Sequence, residues 1–512
     1  MEKILSKLKS ILRSKQFIFI CLVLLLTVTY RTDFIGNTPA FSTYQINSEN
    51  LALARIVIAR DNLDIKSPYG LGNIRSTQNF AESNELNFYA YRYQKNYLYN
   101  SQFVHSISRY EPLIAFPKNS LSLEIIKVGN YVELKNKEVR EIIKIEEQEE
   151  YIYAYITGDV ISNFETQGLI HDYLIKSSQN EYLKPYKYYS YNSQVGLQGW
   201  IYYLLTFIIP KYHLPIYRLA LALLLSVTIV AICYHINKKY NSLLAACFYL
   251  TFWLSPIVIS LSYNLYWVEV TWFIPMLLGI LSVNYKKHRM LFFILFFLAI
   301  LIKSLCGYEY VTTVMMGGII FPIVEWLTLK DKKQKRKVFY SVLWISVSSL
   351  FGFIVAFSIH AIVRGEGSFV DGAKAIYEND ILRRTLGGNP DDFDPVFRNS
   401  LNSTIFATIA KNSRFPMDII YGIPANVFNL LSFSPIIIFA YEFFKKGKID
   451  TSKAALYILT LLTTLSWFVL GKAHSFIHAS FTYILWYFGF IQVCFYLVLD
   501  FLFPKIKMSL KI

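Results

Sequence analysis

The stretch Asn47-Ser48-Glu49-Asn50-Leu51-Ala52-Leu53-Ala54-Arg55-Ile56 follows the first apolar run of the chain and carries one carboxylate and one guanidinium. Ser48 is a helix-capping residue type, Glu49 falls in the first turn, and residues 51–59 are apolar enough to lie along a bilayer. Arg55 and Arg60 would then reach towards lipid phosphates. A carboxylate beside two guanidiniums at a membrane surface suits one chemistry well. The carboxylate takes a proton from an acceptor hydroxyl while the guanidiniums hold a lipid-linked phosphate leaving group. A surface helix with solvated charges would carry the same residue types.

More ionisable residues sit at the ends of apolar runs. An ionisable group deep in a bilayer costs about 2.5–3.5 kcal/mol on insertion scales, so such groups tend to mark function. Glu269 follows Tyr266-Trp267, Lys303 and Glu309 flank Ser304-Leu305-Cys306-Gly307-Tyr308, and Lys472, His474 and His478 separate two late apolar runs. Lys303 and Lys472 could equally snorkel to the interface, and Glu269 could be an exposed helix-end acid. His474 and His478 share one helix face, which suits hydrogen bonds to a phosphate or a sugar. The same spacing suits two metal ligands, but no third ligand is in view. No cofactor is demanded, therefore, and a divalent metal stays open. Arg383 and Arg384, in a later polar stretch, have the fork geometry that clamps a phosphate. Tyrosine-dense stretches at 88–99 and 182–191 suit stacking on sugar rings as well as interfacial anchoring.

The elements that must position these groups are membrane helices. Hydrophobic residues make up 54% of the 512, and a mean hydropathy of +0.35 is far too apolar for a soluble domain of this length. The net charge of +16 is not a nucleic-acid signature. Its cations cluster in short segments between apolar runs, such as Lys238-Lys239, residues 330–337 and Lys445-Lys446, which is the mark of cytoplasmic loops. On that basis about ten spans are expected, with both termini cytoplasmic and the ionisable groups gathered on the outer side. The spans fall near 16–30, 215–236, 242–262, 266–284, 290–304, 310–328, 339–363, 424–443, 453–471 and 481–502. Residues 1–30 form the amino terminus and first span, 31–214 a long outer loop, 215–363 a block of spans, 364–423 a second outer loop, and 424–512 the last spans. Within the first loop, β-type runs at 123–128, 131–134, 139–145 and 151–156 predict a small antiparallel insert at about 121–161. Alternating charges there, including Arg140, Glu141, Lys144 and Glu146, read as a solvated strand face. None of the five cysteines lies in the long loop, so no disulfide framework is expected.

No phosphate-binding glycine loop, nucleophile elbow or paired CxxC occurs. The layout resembles the GT-C superfamily of polytopic glycosyltransferases, which take sugar from a polyprenyl-phosphate carrier. The likeness rests on a basic amino terminus, a large first outer loop, and an acid soon after span one leading into Ser48-Glu49-Asn50-Leu51-Ala52-Leu53-Ala54-Arg55. Many members carry an acidic pair where this chain has Ser48-Glu49. The resemblance therefore implies Glu49, or else Asp61 in Arg60-Asp61-Asn62, as base. It further implies a helical bundle with an outward catalytic cavity. The partners would be a polyprenyl-phosphate-linked sugar donor, a cell-wall or other glycan acceptor and membrane lipids, with no nucleic acid. A polysaccharide polymerase or ligase would more typically put its largest outer loop later in the chain. A glycan transporter or flippase would show broken helices and repeated halves.

Overall fold

The computed structural model describes residues 14–33, 35, 48–56, 67–76, 106–107, 112–118, 126–133, 139–149, 151–158, 174–176, 186–209, 214–385, 389, 391 and 398–503. The chain divides into two compact units. One comprises Met1–Ala52, Pro68–Gly70 and Asn192–Ile512; the other comprises Leu53–Ser67 and Leu71–Tyr191.

The first unit is helical. Its main helices are α1 (Lys15–Thr32), α2 (Leu197–Ile208), α3 (Leu214–Lys239), α4 (Ser242–Leu254), α5 (Val270–Asn284) and α6 (Arg289–Cys306). They continue with α7 (Val311–Thr328), α8 (Lys332–Arg364), α9 (Phe428–Lys446), α10 (Thr451–Leu470) and α11 (Phe490–Leu502). Seven are long and apolar enough to cross a membrane: α1, α3, α6, α7, α8, α9 with the turn before it, and α10. Leu350, Phe351 and Ile354 on α8 and Leu430 and Ile437 on α9 are exposed, as lipid-facing side chains must be. This is a multi-pass helical protein.

Three of the ten expected runs take another form, each for a local reason. Ser255-Pro256 breaks the run at 242–262, because proline cannot donate to the helix; α4 stops there and a short helix, Pro256–Leu261, follows. The run at 266–284 yields only α5, of 15 residues. The run at 481–502 bends by 47° between Ala479–Tyr487 and Phe490–Leu502, around Gly489 at φ 104°.

Where basic loops join the helices, the turns are short and capped. Asn241 accepts from the amides of Leu243 and Leu244, Asp331 from those of Lys333 and Gln334, and Asp450 from those of Ser452 and Lys453. At this same end Lys239 pairs with Glu325 at 3.0 Å and Lys453 with Asp500 at 2.5 Å. Midway along the unit, α5 and α7 cross at Gly279 and Gly318, where a Cβ on Gly279 would collide with the Gly318 carbonyl. The five cysteines are all free.

The second unit is built on antiparallel sheet. Six strands are ordered β2-β3-β6-β5-β4-β7, from β2 (Ser106–Ile107), β3 (Leu113–Pro117), β4 (Tyr131–Glu133), β5 (Val139–Glu147), β6 (Tyr151–Ile156) and β7 (Leu174–Lys176). β1 (Gly72–Ser76) pairs separately with β8 (Tyr186–Ser190). Period-two burial is plain on β6, where Ile152, Ala154 and Ile156 are buried between half-buried tyrosines. The runs expected at 131–134, 139–145 and 151–156 are the strands β4, β5 and β6. Most of the 123–128 run lies outside the described residues, and β3, upstream of the expected insert, was not anticipated. Of the charges expected on a solvated face, Arg140 is instead buried. Lys144 and Tyr155 both donate to Glu146, and these bonds hold its carboxyl below the usual carboxylate range.

We expect Gly279→Ala to destabilise the helical unit by about 1–3 kcal/mol through overpacking at the crossing, read as a lowered thermal midpoint of the detergent-purified protein.

Candidate functional site

The helix ends opposite the Lys239–Glu325 pair converge on residues 262–269, the loop before α5. Asn264 closes the loop, its Oδ1 accepting from the Tyr266 amide at 2.8 Å. Gln198 on α2 donates through Nε2 to the carbonyls of Tyr266 and Cys306, each at 2.9 Å, and so ties the loop to the end of α6. Tyr266 then donates its hydroxyl to Glu309 at 3.0 Å. Lys303, on the last turn of α6, donates to the Gly307 carbonyl at 2.6 Å and is drawn electrostatically to Glu309. A side chain at position 307 would strike the Glu309 carboxylate and the Gln194 amide oxygen, so glycine is what lets these groups close up. Lys303 and Glu309 are both buried.

Cations reach this cluster from the segment after α8. Helix Phe369–Ile376 runs into a π-turn, Tyr377–Ile381, and then Leu382–Arg384. The wider turn sets buried Asp380 between Arg364, at 3.7 Å, and Arg384, at 3.5 Å. Arg383 and Arg384 lie within electrostatic reach of both His474 and His478, and Lys411 within reach of His478. The two imidazole centroids are 5.0 Å apart. Burial first, and then His478, Arg384 and Arg383, hold His474 well below the usual histidine range. Burial, then Arg384 and Arg383, push His478 down to about 4, with Glu309 opposing. Both rings are therefore neutral near pH 7 and offer one donor and one acceptor each. Lys472 pins the segment in place by donating to the carbonyls of Leu401 and Ser403, each at 2.7 Å. Asn412 adds a bond to the Ser475 carbonyl at 3.2 Å.

Glu49 joins the same loop from the other side. It is fully buried; Arg218 on α3 grips both its oxygens, with Nε to Oε1 at 3.0 Å, and the Leu265 amide reaches Oε1 at 3.3 Å. The Arg218 guanidinium lies 5.1 Å from the Tyr263 ring centroid, and Tyr263 donates to Asp33 at 3.3 Å. Asp33 has φ 54° and ends α1.

Residues 48–56 form the expected helix, but residues 49–56 are buried, so it does not lie on a surface. Its apolar side chains pack inward and its charges find internal partners. Arg55 is one of them: it belongs to the second unit and donates to the Ser67 carbonyl at 3.0 Å. Arg60 and Asp61 lie outside the described residues. Glu269 is 1% exposed, and neither carboxylate oxygen has a hydrogen-bond partner among the described residues. It follows Val268, a β-branched residue at φ 45°.

Of the residues singled out in the sequence, then, Lys303, Glu309, Arg383, Arg384, His474 and His478 come together, and Glu49 meets the same loop. Arg218 and Asp33 were missed. A lone arginine inside an apolar run was the available signal for Arg218; Asp33 carried none. No group of three or more His, Cys, Asp or Glu is placed to hold a metal ion among the described residues.

Comparison with protein-family models, with curated proteins and with solved structures finds no match. The chemistry of this chain must be read from its own geometry. That geometry offers guanidinium and ammonium groups for an anion, neutral imidazoles for hydrogen bonding, and two buried carboxylates beside them, Asp380, which holds the arginines, and Glu309.

Two outcomes are expected. Arg218→Ala removes the bidentate partner of buried Glu49 and should cost about 3–5 kcal/mol, seen as loss of folded protein on size-exclusion chromatography. His478 titrates lower in the folded chain than its ordinary 6.5, so the unfolded chain takes up the proton first as pH falls. Its contribution to stability is whole above about pH 6.5 and is lost as pH drops towards about 4. A scan of thermal midpoint against pH should show this fall in the wild type and a flatter profile in His478→Gln.

Proposed function

We propose that this protein is a membrane glycosyltransferase of GT-C type that moves a sugar from a polyprenyl-phosphate carrier to an extracytoplasmic glycan, such as a cell-wall polysaccharide. The observation that carries the reading is the gathering of Arg383, Arg384, Lys411, His474 and His478 beside Glu309 at one end of the helical unit. A polyprenyl phosphate is an anion tethered to an apolar tail. Its head needs cations at the ends of membrane helices, and its tail needs the exposed apolar faces between them.

In this reading the two arginines hold the phosphate and stabilise the charge that grows on it as the sugar leaves. Glu309, buried next to the cations and already accepting a hydrogen bond from Tyr266, takes the proton from the acceptor hydroxyl. Glu49, which the resemblance implies as base, has both oxygens committed to Arg218; in this scheme it holds the loop that carries Tyr266. The positive-inside rule puts the capped basic turns in the cytoplasm, and with them both termini, so the cluster faces outward. A second reading, a glycan transporter, draws on Glu269, a buried acid inside a membrane protein whose carboxylate has no hydrogen-bond partner among the described residues.

The test compares cell-envelope glycans of a deletion strain with those of the wild type, and assays the purified protein with polyprenyl-phosphate sugars. Loss of one sugar substituent in the deletion strain is expected. Glu309→Gln should abolish transfer and Arg384→Gln should reduce it by at least tenfold, both at normal protein abundance. Unchanged glycans, or substrate translocation without glycan modification, would overturn the transferase reading.

A further inference from the structure

Beside the cation cluster, six aromatic side chains close a circuit. Trp467 meets His474 at 6.1 Å between centroids, His474 meets His478 at 5.0 Å, and His478 meets Phe481 at 5.7 Å. Phe481 meets Trp267 at 5.4 Å, Trp267 stacks on Tyr310 at 6.0 Å, and Tyr310 returns to Trp467 at 5.9 Å. The rings come from three separated parts of the chain: the loop before α5, the start of α7, and the end of α10 with the segment after it.

Aromatic packing alone would account for a closed circuit, but not for what its members carry. The Tyr310 hydroxyl, the Trp467 indole N–H and the His474 Nδ1 are each buried with no hydrogen-bond partner among the described residues. Tyr310 is fully buried and Trp467 is 7% exposed. Leaving a buried donor or acceptor unmet costs about 1–3 kcal/mol, so three such atoms on one ring circuit is an expensive way to build an apolar core. Tyr310 also sits at φ 65°, and Val268, next to Trp267, at φ 45°. Strain of this kind persists where the surrounding structure has a use for it.

We propose that this circuit is a binding site for an uncharged, hydroxyl-bearing ring, a neutral pyranose. Tyrosine and tryptophan faces meet the apolar C–H faces of a sugar, while their polar edges donate to its hydroxyl oxygens. The neutral imidazole of His474 offers one further polar contact. The formal charges nearby, Arg383, Arg384, Lys411 and Glu309, serve the phosphate and the acceptor in the transferase reading, and the unmet groups on the circuit itself are neutral hydrogen-bonding ones suited to sugar hydroxyls. The inference deepens the transferase reading by naming the class of sugar held next to the phosphate site. Binding of free sugar needs no transfer step, so the two ideas can fail separately.

The experiment is saturation-transfer NMR on the full-length protein in nanodiscs, with the methyl pyranosides of glucose, galactose and mannose as probes, against glucosamine and glucuronate. At least one neutral pyranoside should give a saturable response, and neither charged sugar should at the same concentration. Tyr310→Phe removes one donor and keeps the ring, Trp467→Phe removes one donor and keeps an aromatic, though smaller, side chain, and each should weaken that response about fivefold. Trp344→Phe, on the exposed face of α8, should leave it unchanged. The proposal is overturned if no neutral pyranoside binds saturably, if the charged sugars bind as well as the neutral ones, or if both donor-removing variants bind like the wild type.

Discussion

The bidentate pair between Glu49 and Arg218 is the contact on which the arrangement of the helix ends depends. Each partner is buried, and a charge in such a place is tolerable only with its counterion and further hydrogen bonds in position. Because the two residues lie far apart in sequence, meeting this demand brings the chain after α1 onto the start of α3. The Leu265 amide completes the coordination of Glu49 and thereby places the loop at 262–269. That loop in turn carries Tyr266, which orients Glu309, and Trp267, which enters the aromatic circuit. One electrostatic requirement thus sets the frame within which the other polar groups are arranged.

A second constraint acts from the far side of the cluster. Segment 365–385 crosses the end of α8 through a π-turn, and Asp380 holds Arg364 and Arg384 from one carboxylate. Lys472 and Asn412 fasten the next stretch, around Leu401, Ser403 and Thr408, to the helix that bears His474. Arg364 and Arg384 are consequently held by one buried carboxylate. Preorganised cations of this sort stabilise an anion without having to be collected when it arrives. The histidines between them are kept neutral by burial and by those same cations, and so supply hydrogen bonds without adding to the local positive charge.

The two ends of the helical unit divide the work. Short capped turns, and the pairs Lys239–Glu325 and Lys453–Asp500 between helices, close one end. At the other end the connections are long, the polar groups come from many segments, and several remain without partners among the described residues. Glu269, Tyr310 and Trp467 are of this kind. Buried polar atoms left without partners call for an explanation, and a bound ligand that supplies those partners is one.

The sequence alone determined the class of protein and the positions of most ionisable groups. Apolar runs long enough to cross a bilayer, basic turns between them and period-two strands in the first loop are local patterns, and local patterns survive in a one-dimensional reading. Breaks in two apolar runs were legible only in hindsight, at Ser255-Pro256 and Gly489, since a hydropathy sum does not register a missing donor or a positive φ. Tertiary structure decided which charges meet. Lys303 with Glu309 was legible because they lie six positions apart; Glu49 with Arg218, and Arg384 with His478, were not, because nothing in a linear pattern encodes a pairing between distant helices. The aromatic circuit is the extreme case. Trp, Tyr, Phe and His are ordinary membrane-helix residues taken singly, and only folding brings six of them around one place, three with a polar ring atom that has no partner among the described residues.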